Sequence, residues 1–187
     1  MKYIITTIFF LTLLSCNIRR DHFKVSSTSM SPNLNPDDVV KIDKQNTKLD
    51  YGDIIACFQK GLGEEQDIIT PSRIVGLPGD SIKVKYDICI INGIENKHRL
   101  KQRSKMVEYK IISYDEYEEI FPNGKSILIL HSPDLDWNEK ITETIKVPDD
   151  HFFIMGDNRS DSYDSRRFGA IHRDKIIGKV IKITPAD

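Results

Sequence analysis

The chain has 187 residues, of which 39% are hydrophobic and 29% are charged. A chain of this length and apolar content fits one folded domain, or a core domain with an inserted lobe, and not a disordered protein. Its 27 basic and 28 acidic residues leave a formal net charge of −1, which argues against binding to nucleic acid through a basic surface.

The first 20 residues are predicted to be a signal or anchor segment. The apolar run at residues 3–14 is shorter than the roughly 20 residues of a membrane-spanning helix and has the length of a signal-peptide core. The sequence LLSC that follows resembles a lipobox, which would make Cys16 the lipidated N-terminal residue of the mature chain. A short membrane anchor is the alternative. Both interpretations place the domain at a cell membrane, on its extracytoplasmic face.

Beyond residue 20 the sequence is typical of β-strands. The segments that are rich in Ile and Val and bounded by Gly, Pro, Asn and Asp are residues 37–44, 53–58, 80–93 and 175–183. Residues 80–93 alternate apolar and polar side chains, as a strand or hairpin with one solvated face does. The predicted fold class is therefore mainly antiparallel β.

Residues 96–147 are more charged and less periodic, and we predict an inserted lobe there. The main β domain would then consist of residues 21–95 and 148–187. The one helix that the pattern predicts is short, at residues 113–121 (SYDEYEEIF), where Ser113 and Glu116 could form a capping box.

Three cysteines, Cys16, Cys57 and Cys89, are too few and too scattered for a disulfide scaffold or a zinc site. We predict that Cys57 and Cys89 are small buried hydrophobic residues, with a disulfide between them as the alternative in an exported protein. No group of ligand residues has metal or cofactor spacing, so the sequence predicts neither.

Two polar loops and one serine-rich segment stand out in this β pattern. SSTSMSPNL (residues 26–34) contains five hydroxyl side chains before a proline. GLPGD (76–80) places Pro78 before Gly79, as in a type II turn whose glycine has a positive φ. MGDNRSDSYDSRRFG (155–169) is a loop after the apolar strand HFFIM.

Four segments, in chain order, resemble the signature boxes of the type I signal peptidases. These are membrane-tethered serine endopeptidases that remove signal peptides. The resemblance implies a signal-peptidase-like fold, with a catalytic β domain and a smaller inserted β lobe. Its substrates would be exported preproteins, cleaved after small side chains and bound as an added strand. The matching segments are SMSPNL (29–34), YGDII (51–55), RIVGLPGD (73–80) and GDNRSDSYDSRRFG (156–169).

The resemblance implies roles for individual residues. Ser29 occupies the position of the nucleophile, and its backbone N–H with the hydroxyl of Ser27 would form the oxyanion hole. Ser162 aligns with the serine that hydrogen-bonds the catalytic base. The ion-pair set that supports the family's site would be formed by Arg73, Asp164 and Arg166.

At one catalytic position the sequence departs from the family. Bacterial members have a lysine immediately before the arginine of the third box, and the endoplasmic-reticulum branch has a histidine, whereas this chain has Ser72. A serine nucleophile needs a base, and a lysine serves as one only when burial lowers its pKa. The hydroxyl of Ser72 titrates far above physiological pH and cannot replace it.

Three explanations stay open. The base could be supplied by another residue, the groove could be intact with catalysis lost, or Ser29 and Ser72 could use water or a substrate group as the proton acceptor. The second explanation describes a lipoprotein that binds peptides without cleaving them. A self-cleaving repressor of related fold is disfavoured, because no helix-turn-helix or basic patch is present. The substitute bases that we consider are Lys41, Lys44, Lys60, His151 and His172.

Overall fold

The structure is a computed structural model, and it describes residues 21–60, 67–85, 87–106, 113–133 and 143–186. The predictions for residues 1–20, including Cys16, and for the side chain of Lys60 lie outside the described residues. In the part that is described, no helix is long and apolar enough to cross a membrane.

The described residues form three antiparallel sheets. The element bounds are β1 (His22–Lys24), β2 (Val39–Asp43), β3 (Ile54–Lys60), β4 (Asp67–Gly76), β5 (Ser81–Lys85), β6 (Ile88–Ile91), β7 (Ile94–Glu95), β8 (Lys97–Met106), β9 (Ser113–Ile120), β10 (Ser126–His131), β11 (Ile145–Lys146), β12 (His151–Met155), α1 (Ser165–Phe168), β13 (Ile171–His172), a 3₁₀ turn (Arg173–Lys175) and β14 (Ile176–Thr184). The seven-stranded sheet has the order β1-β2-β14-β3-β4-β12-β13, the four-stranded sheet β11-β5-β6-β7, and the three-stranded sheet β10-β9-β8.

The prediction of a mainly antiparallel β fold is confirmed, and each of the four predicted strand segments contains strands. Residues 80–93 form the hairpin β5–β6, in which buried and partly exposed residues alternate. The GLPGD turn has the predicted geometry, because Gly79 has φ +85° and the Asp80 N–H donates to the carbonyl of Leu77 at 3.0 Å.

Opposite faces of the seven-stranded sheet carry different clusters, because successive strand residues point to opposite faces. On β4, Val75 packs with Phe153 and Met155 in one cluster. Ile74 packs on the other face with Ile55 and Cys57. A third cluster joins Met30 and Leu34 to Val25 and Val40. Arg73 therefore shares a face with Val75, whereas Ser72 shares the face of Ile74.

The helix predicted at residues 113–121 is wrong. This segment is the strand β9, which pairs with both β8 and β10. Tyr114 and Glu116, two residues apart, are buried, and such a spacing is that of a strand. The observed helix α1 lies elsewhere, with Asp164 as its N-cap and Gly169 as its C-cap.

The three-stranded sheet β8–β10 lies within residues 96–147, the predicted inserted lobe. The short strand β11 also lies in that range, but it pairs with β5 of the four-stranded sheet. The domain boundaries stay a prediction.

The alternative of a Cys57–Cys89 disulfide is wrong, because both residues are free and fully buried. They lie in different hydrophobic clusters. Burial raises the pKa of the Cys57 thiol to about 11, although hydrogen bonds with Ser72 and Thr70 oppose the shift.

Candidate active site

The serine-rich segment is a turn held in place by its apolar residues. Met30 and Leu34 are fully buried, and the N–H of Leu34 donates to the carbonyl of Met30 at 2.9 Å. With these side chains buried, Ser27 is exposed and Ser29 is partly exposed. The hydroxyl oxygens of Ser27 and Ser29 are 3.0 Å apart, within hydrogen-bond distance. The turn thus presents two adjacent hydroxyls at the protein surface.

The loop after β12 passes close to this turn at Gly156. A Cβ atom at Gly156 would lie 2.5 Å from the carbonyl oxygen of Ser29 and 2.7 Å from the hydroxyl oxygen of Ser162. Asn158 fixes the contact, since its N–H donates to the same Ser29 carbonyl at 2.9 Å. Thr28 adds a hydrogen bond from its hydroxyl to Asp161 at 3.2 Å. Ser29 and Ser162, 133 residues apart in sequence, therefore both contact one glycine.

Ser162, Asp164 and Arg166 form one hydrogen-bonded group, in which Asp164 and Arg166 are buried and Ser162 is partly buried. The Ser162 hydroxyl donates to Asp164 Oδ2 at 2.5 Å and accepts from Arg166 Nη2 at 2.8 Å. Arg166 Nε donates to Asp164 Oδ1 at 2.8 Å, and the Gly156 N–H donates to Oδ2 at 3.0 Å. Burial alone would raise the pKa of Asp164, but the Arg166 guanidinium and these hydrogen bonds outweigh it and lower the pKa.

Arg73 does not belong to that group. Its carboxylate partner is Asp157, which accepts from Arg73 Nε at 2.9 Å and from Nη2. Arg73 Nη1 donates to the carbonyl of Gly52 at 2.8 Å. Asp157 also accepts from the side-chain amide of Asn33 at 2.8 Å, which connects this ion pair to the serine turn. The resemblance predicts one ion-pair set of Arg73, Asp164 and Arg166, but Arg73 and Arg166 thus belong to two separate ion pairs. The sequence analysis did not identify Asp157 as the partner of Arg73.

Ser72, at the position of the family's base, is 3% exposed. It lies on β4 opposite Ile55, and its hydroxyl interacts with the Cys57 thiol. Among the hydrogen bonds of the described residues, none joins the side chain of Ser72 to that of Ser29.

Of the lysines considered as substitute bases, Lys41 and Lys44 have described side chains, and neither forms a described hydrogen bond or ion pair with the serine turn. Lys41 is exposed, and Lys44 forms an ion pair with Asp21 at 3.3 Å. Neither is in the buried surroundings that a lysine base requires.

The two histidines lie at the far end of β12. His151 and His172 are paired across β12 and β13, with ring centroids 5.0 Å apart. His151 precedes Gly156 by five residues of extended chain, which corresponds to about 17 Å. The strand geometry separates this pair from Ser29.

The sequence reasoning also missed a buried charge network beside the last box. Arg159 and Glu119 are both fully buried and form an ion pair. Asp87 accepts from Arg166 Nη1 at 3.0 Å and contacts His131 Nδ1 at 2.6 Å. Glu119 lies in the segment predicted as a helix and Asp87 in the turn between β5 and β6, so the sequence pattern carried no signal for this network.

Comparisons of the sequence with known proteins identify one family. The family model described as "Signal peptidase, peptidase S26" matches residues 1–184. A signal peptidase I P from Bacillus subtilis subsp. natto is 33% identical over 172 residues, which covers 90% of this chain and 78% of that protein. A signal peptidase I from Bacillus caldolyticus is 28% identical over 165 residues, covering 85% and 76% respectively.

A crystal structure of a signal peptidase I from Enterococcus faecalis V583 matches at 22% identity with a TM-score of 0.40, covering 73% of this chain and 98% of that one. The chain belongs to the signal peptidase family, peptidase S26, on the match of its sequence to the family model and to the Bacillus relatives. It is therefore, by family, a serine endopeptidase of the signal peptidase I type.

Proposed function

We propose that this protein is a membrane-associated serine endopeptidase that removes N-terminal signal peptides from exported preproteins, with Ser29 as the nucleophile. The observation that carries the proposal is the meeting of the Ser29 turn and Ser162 at Gly156. Family resemblance assigns these two serines to the nucleophile and to the residue that orients the base. The folded chain brings them together although they are far apart in sequence.

The Ser27–Ser29 contact supports an oxyanion hole at this turn. Attack by the Ser29 oxygen on a peptide carbonyl would create a negatively charged oxygen. The Ser29 N–H and the Ser27 hydroxyl would donate hydrogen bonds to it, and the two hydroxyl oxygens already lie 3.0 Å apart. Removing one such donor typically lowers the rate by about 100- to 1,000-fold.

The bonding of Ser162 supports its proposed role beside the base. Its hydrogen is directed to Asp164, and one acceptor direction is occupied by Arg166. A hydroxyl has two acceptor lone pairs, so Ser162 retains one that can accept a hydrogen bond. It would therefore receive an N–H or O–H donor from the base in a fixed direction.

A second candidate function is peptide binding without cleavage. The residue at the family's base position favours it, because Ser72 carries a hydroxyl that cannot deprotonate Ser29 and that is buried beside Cys57. Such a chain would still bind an extended peptide by strand addition. Without a base, the rate of peptide-bond cleavage would fall by several orders of magnitude.

Attachment to membrane lipid is proposed from the apolar N-terminal segment and from exposed apolar residues. Phe58 and Ile69 lie opposite each other on β3 and β4 and are 39% and 48% exposed. Ile68, whose side chain points to the opposite face of these strands, is 40% exposed. Exposed apolar patches of this kind mark interaction surfaces. If the lipobox interpretation holds, Cys16→Ser abolishes lipid labelling in cells, and unchanged labelling refutes it.

The test of the proposed activity uses the full chain in detergent and a purified preprotein, with the products followed by mass. Wild type, Ser29→Ala and Ser72→Lys are compared, and Ser26→Ala in the same turn is the matched control. Cleavage at the signal-peptide site by wild type or by Ser72→Lys, lost in Ser29→Ala but kept in Ser26→Ala, is the expected result. Cleavage at the wild-type rate in Ser29→Ala would refute Ser29 as the nucleophile.

The Ser72→Lys variant separates the two candidate functions. Cleavage by wild type supports the peptidase and requires a base other than a lysine at this position. Cleavage only by Ser72→Lys supports an intact peptide-binding groove that lacks a base. If neither chain cleaves, the peptidase proposal is wrong.

A further inference from the structure

We propose that Asp87 and His131 are positioning residues of this site, which hold Arg166, and through it the hydroxyl of Ser162, in place beside the Ser29 turn. The inference rests on the proposed function in one respect, namely that Ser162 serves the reaction at Ser29. Neither residue lies in the four sequence boxes.

The guanidinium of Arg166 has N–H donors directed to three side chains. Nε and Nη2 donate to Asp164, at 2.8 and 2.7 Å. Nη2 also donates to Ser162 at 2.8 Å, and Nη1 donates to Asp87 at 3.0 Å. Because the guanidinium is a rigid plane, the position of Nη1 on Asp87 determines where Nη2 meets Ser162.

Asp87 is held in place by contacts of its backbone carbonyl and of both carboxylate oxygens. Its backbone is in the left-handed region, with φ +65°, which costs energy for a residue other than glycine. Its carbonyl accepts from Arg159 Nη1 at 3.1 Å. Its two carboxylate oxygens are divided between Arg166 on one side and His131 on the other. This carboxylate joins the strand β10 to the loop that carries Ser162.

The charge on His131 depends on its contact with Asp87. Its Nδ1 lies 2.6 Å from Asp87 Oδ2, and the hydroxyl of Ser160 is 3.4 Å from the same oxygen. The hydrogen bond with Asp87 raises the pKa of His131 above its ordinary value, although burial opposes the shift. The other charged groups that act on this pair are Asp115, opposite His131 on β9, and Arg159.

The charge of Asp87 is therefore shared. When His131 is protonated, it balances part of the Asp87 charge, and Arg166 remains available to Asp164 and Ser162. When His131 loses its proton as the pH rises, Asp87 attracts Arg166 more strongly. The side chain of His131 is 31% exposed, so solvent protons reach it while Arg166 stays buried.

The test is an NMR titration of the Arg166 Nε–H resonance in the full chain, which does not require cleavage. We expect this resonance to shift in one step at the pKa measured for His131. His131→Gln should remove the step, and so should Asp87→Asn. His172→Gln is the matched control, because His172 also has a carboxylate neighbour, Asp174 at 3.3 Å, but lies away from Arg166. It should leave the step unchanged.

The kinetic arm uses whichever of wild type and Ser72→Lys cleaves the preprotein. We expect His131→Gln to lower kcat by about two- to tenfold with little change in KM, the size typical of coupling between contacting residues. In the parent chain we expect kcat to decline as the pH rises above the His131 pKa. This decline should disappear in His131→Gln. An Arg166 resonance without a step at the His131 pKa would overturn the inference, and it would do so whether or not the protein cleaves preproteins.

Discussion

Gly156→Ala tests the contact on which the candidate site depends. The new Cβ would lie 2.5 Å from the Ser29 carbonyl oxygen and 2.5 Å from the Ser162 Cβ, whereas ordinary van der Waals contact begins near 3.4 Å. The Ser29 carbonyl is backbone and is held by the Asn158 N–H, so it cannot turn aside as a flexible side chain would. The alanine must therefore move the Ser29 turn and Ser162 apart.

The required displacement is about 1 Å, and a misplacement of that size in a catalytic site costs about 100-fold in rate. We expect kcat/KM for preprotein cleavage to fall by about that factor, measured in whichever of wild type and Ser72→Lys is active. Overpacking should also lower the free energy of unfolding by about 1 to 3 kcal/mol. Denaturant unfolding measures this second effect separately.

Gly178→Ala is the matched control. A Cβ at Gly178 would lie 2.5 Å from the carbonyl oxygen of Asp43, an equal clash in the ladder of β2 and β14. We expect a similar loss of stability with kcat/KM unchanged for the folded fraction. If Gly156→Ala and Gly178→Ala lower activity equally, or if Gly156→Ala leaves it unchanged, Gly156 does not set the position of the nucleophile.

Three further predictions concern the oxyanion hole, the buried ion pair and the thiols. Ser27→Ala should lower kcat by about 100-fold, with KM and the unfolding free energy unchanged, since Ser27 is exposed. Burial opposes ionisation of Glu119, but Arg159 outweighs it and lowers the pKa from 4.5 to about 2. The stabilisation of the folded state by ionised Glu119 is therefore complete above pH 4.5 and is lost as the pH falls toward 2. Glu119→Gln should cost about 3 to 5 kcal/mol at pH 7 and lack that pH dependence in denaturant titrations. Because burial raises the pKa of Cys57 and of Cys89, a disulfide reagent at pH 8 should label neither in a folded chain whose first cysteine is replaced, and both after unfolding.

Each of these predictions has a contrary outcome. An unchanged kcat in Ser27→Ala would remove that hydroxyl from the oxyanion hole. A Glu119→Gln variant as stable as wild type at pH 7 would show that the ion pair contributes nothing net. Labelling of either buried thiol within seconds in the folded chain would contradict its burial.

The local rules that predict strands and turns worked here because their causes are local. The alternation in residues 80–93 and the Pro78-Gly79 pair each require only neighbouring residues, and both appear as predicted. The resemblance added what no local pattern contains, namely that the serine turn and the last box belong to one site.

The failures arise from contacts between distant residues. Residues 113–121 carry a helix-like acidic pattern, but Glu119 is buried by an ion pair with Arg159, 40 residues away. The short helix α1 was missed although Asp164 and Gly169 are suitable caps for it, because four residues give no periodicity. The ion pair of Arg73 with Asp157 depends on the pairing of β4 with β12, which only the folded chain shows.

The most direct test of the central claim is to trap and locate the acyl-enzyme. Wild type and Ser72→Lys are each mixed with preprotein and quenched in acid, and the tryptic peptide of residues 25–41 is sequenced by mass spectrometry. We predict a peptide ester on Ser29, absent from Ser29→Ala. An ester on any other residue, or no ester in a chain that cleaves the preprotein, would contradict Ser29 as the nucleophile.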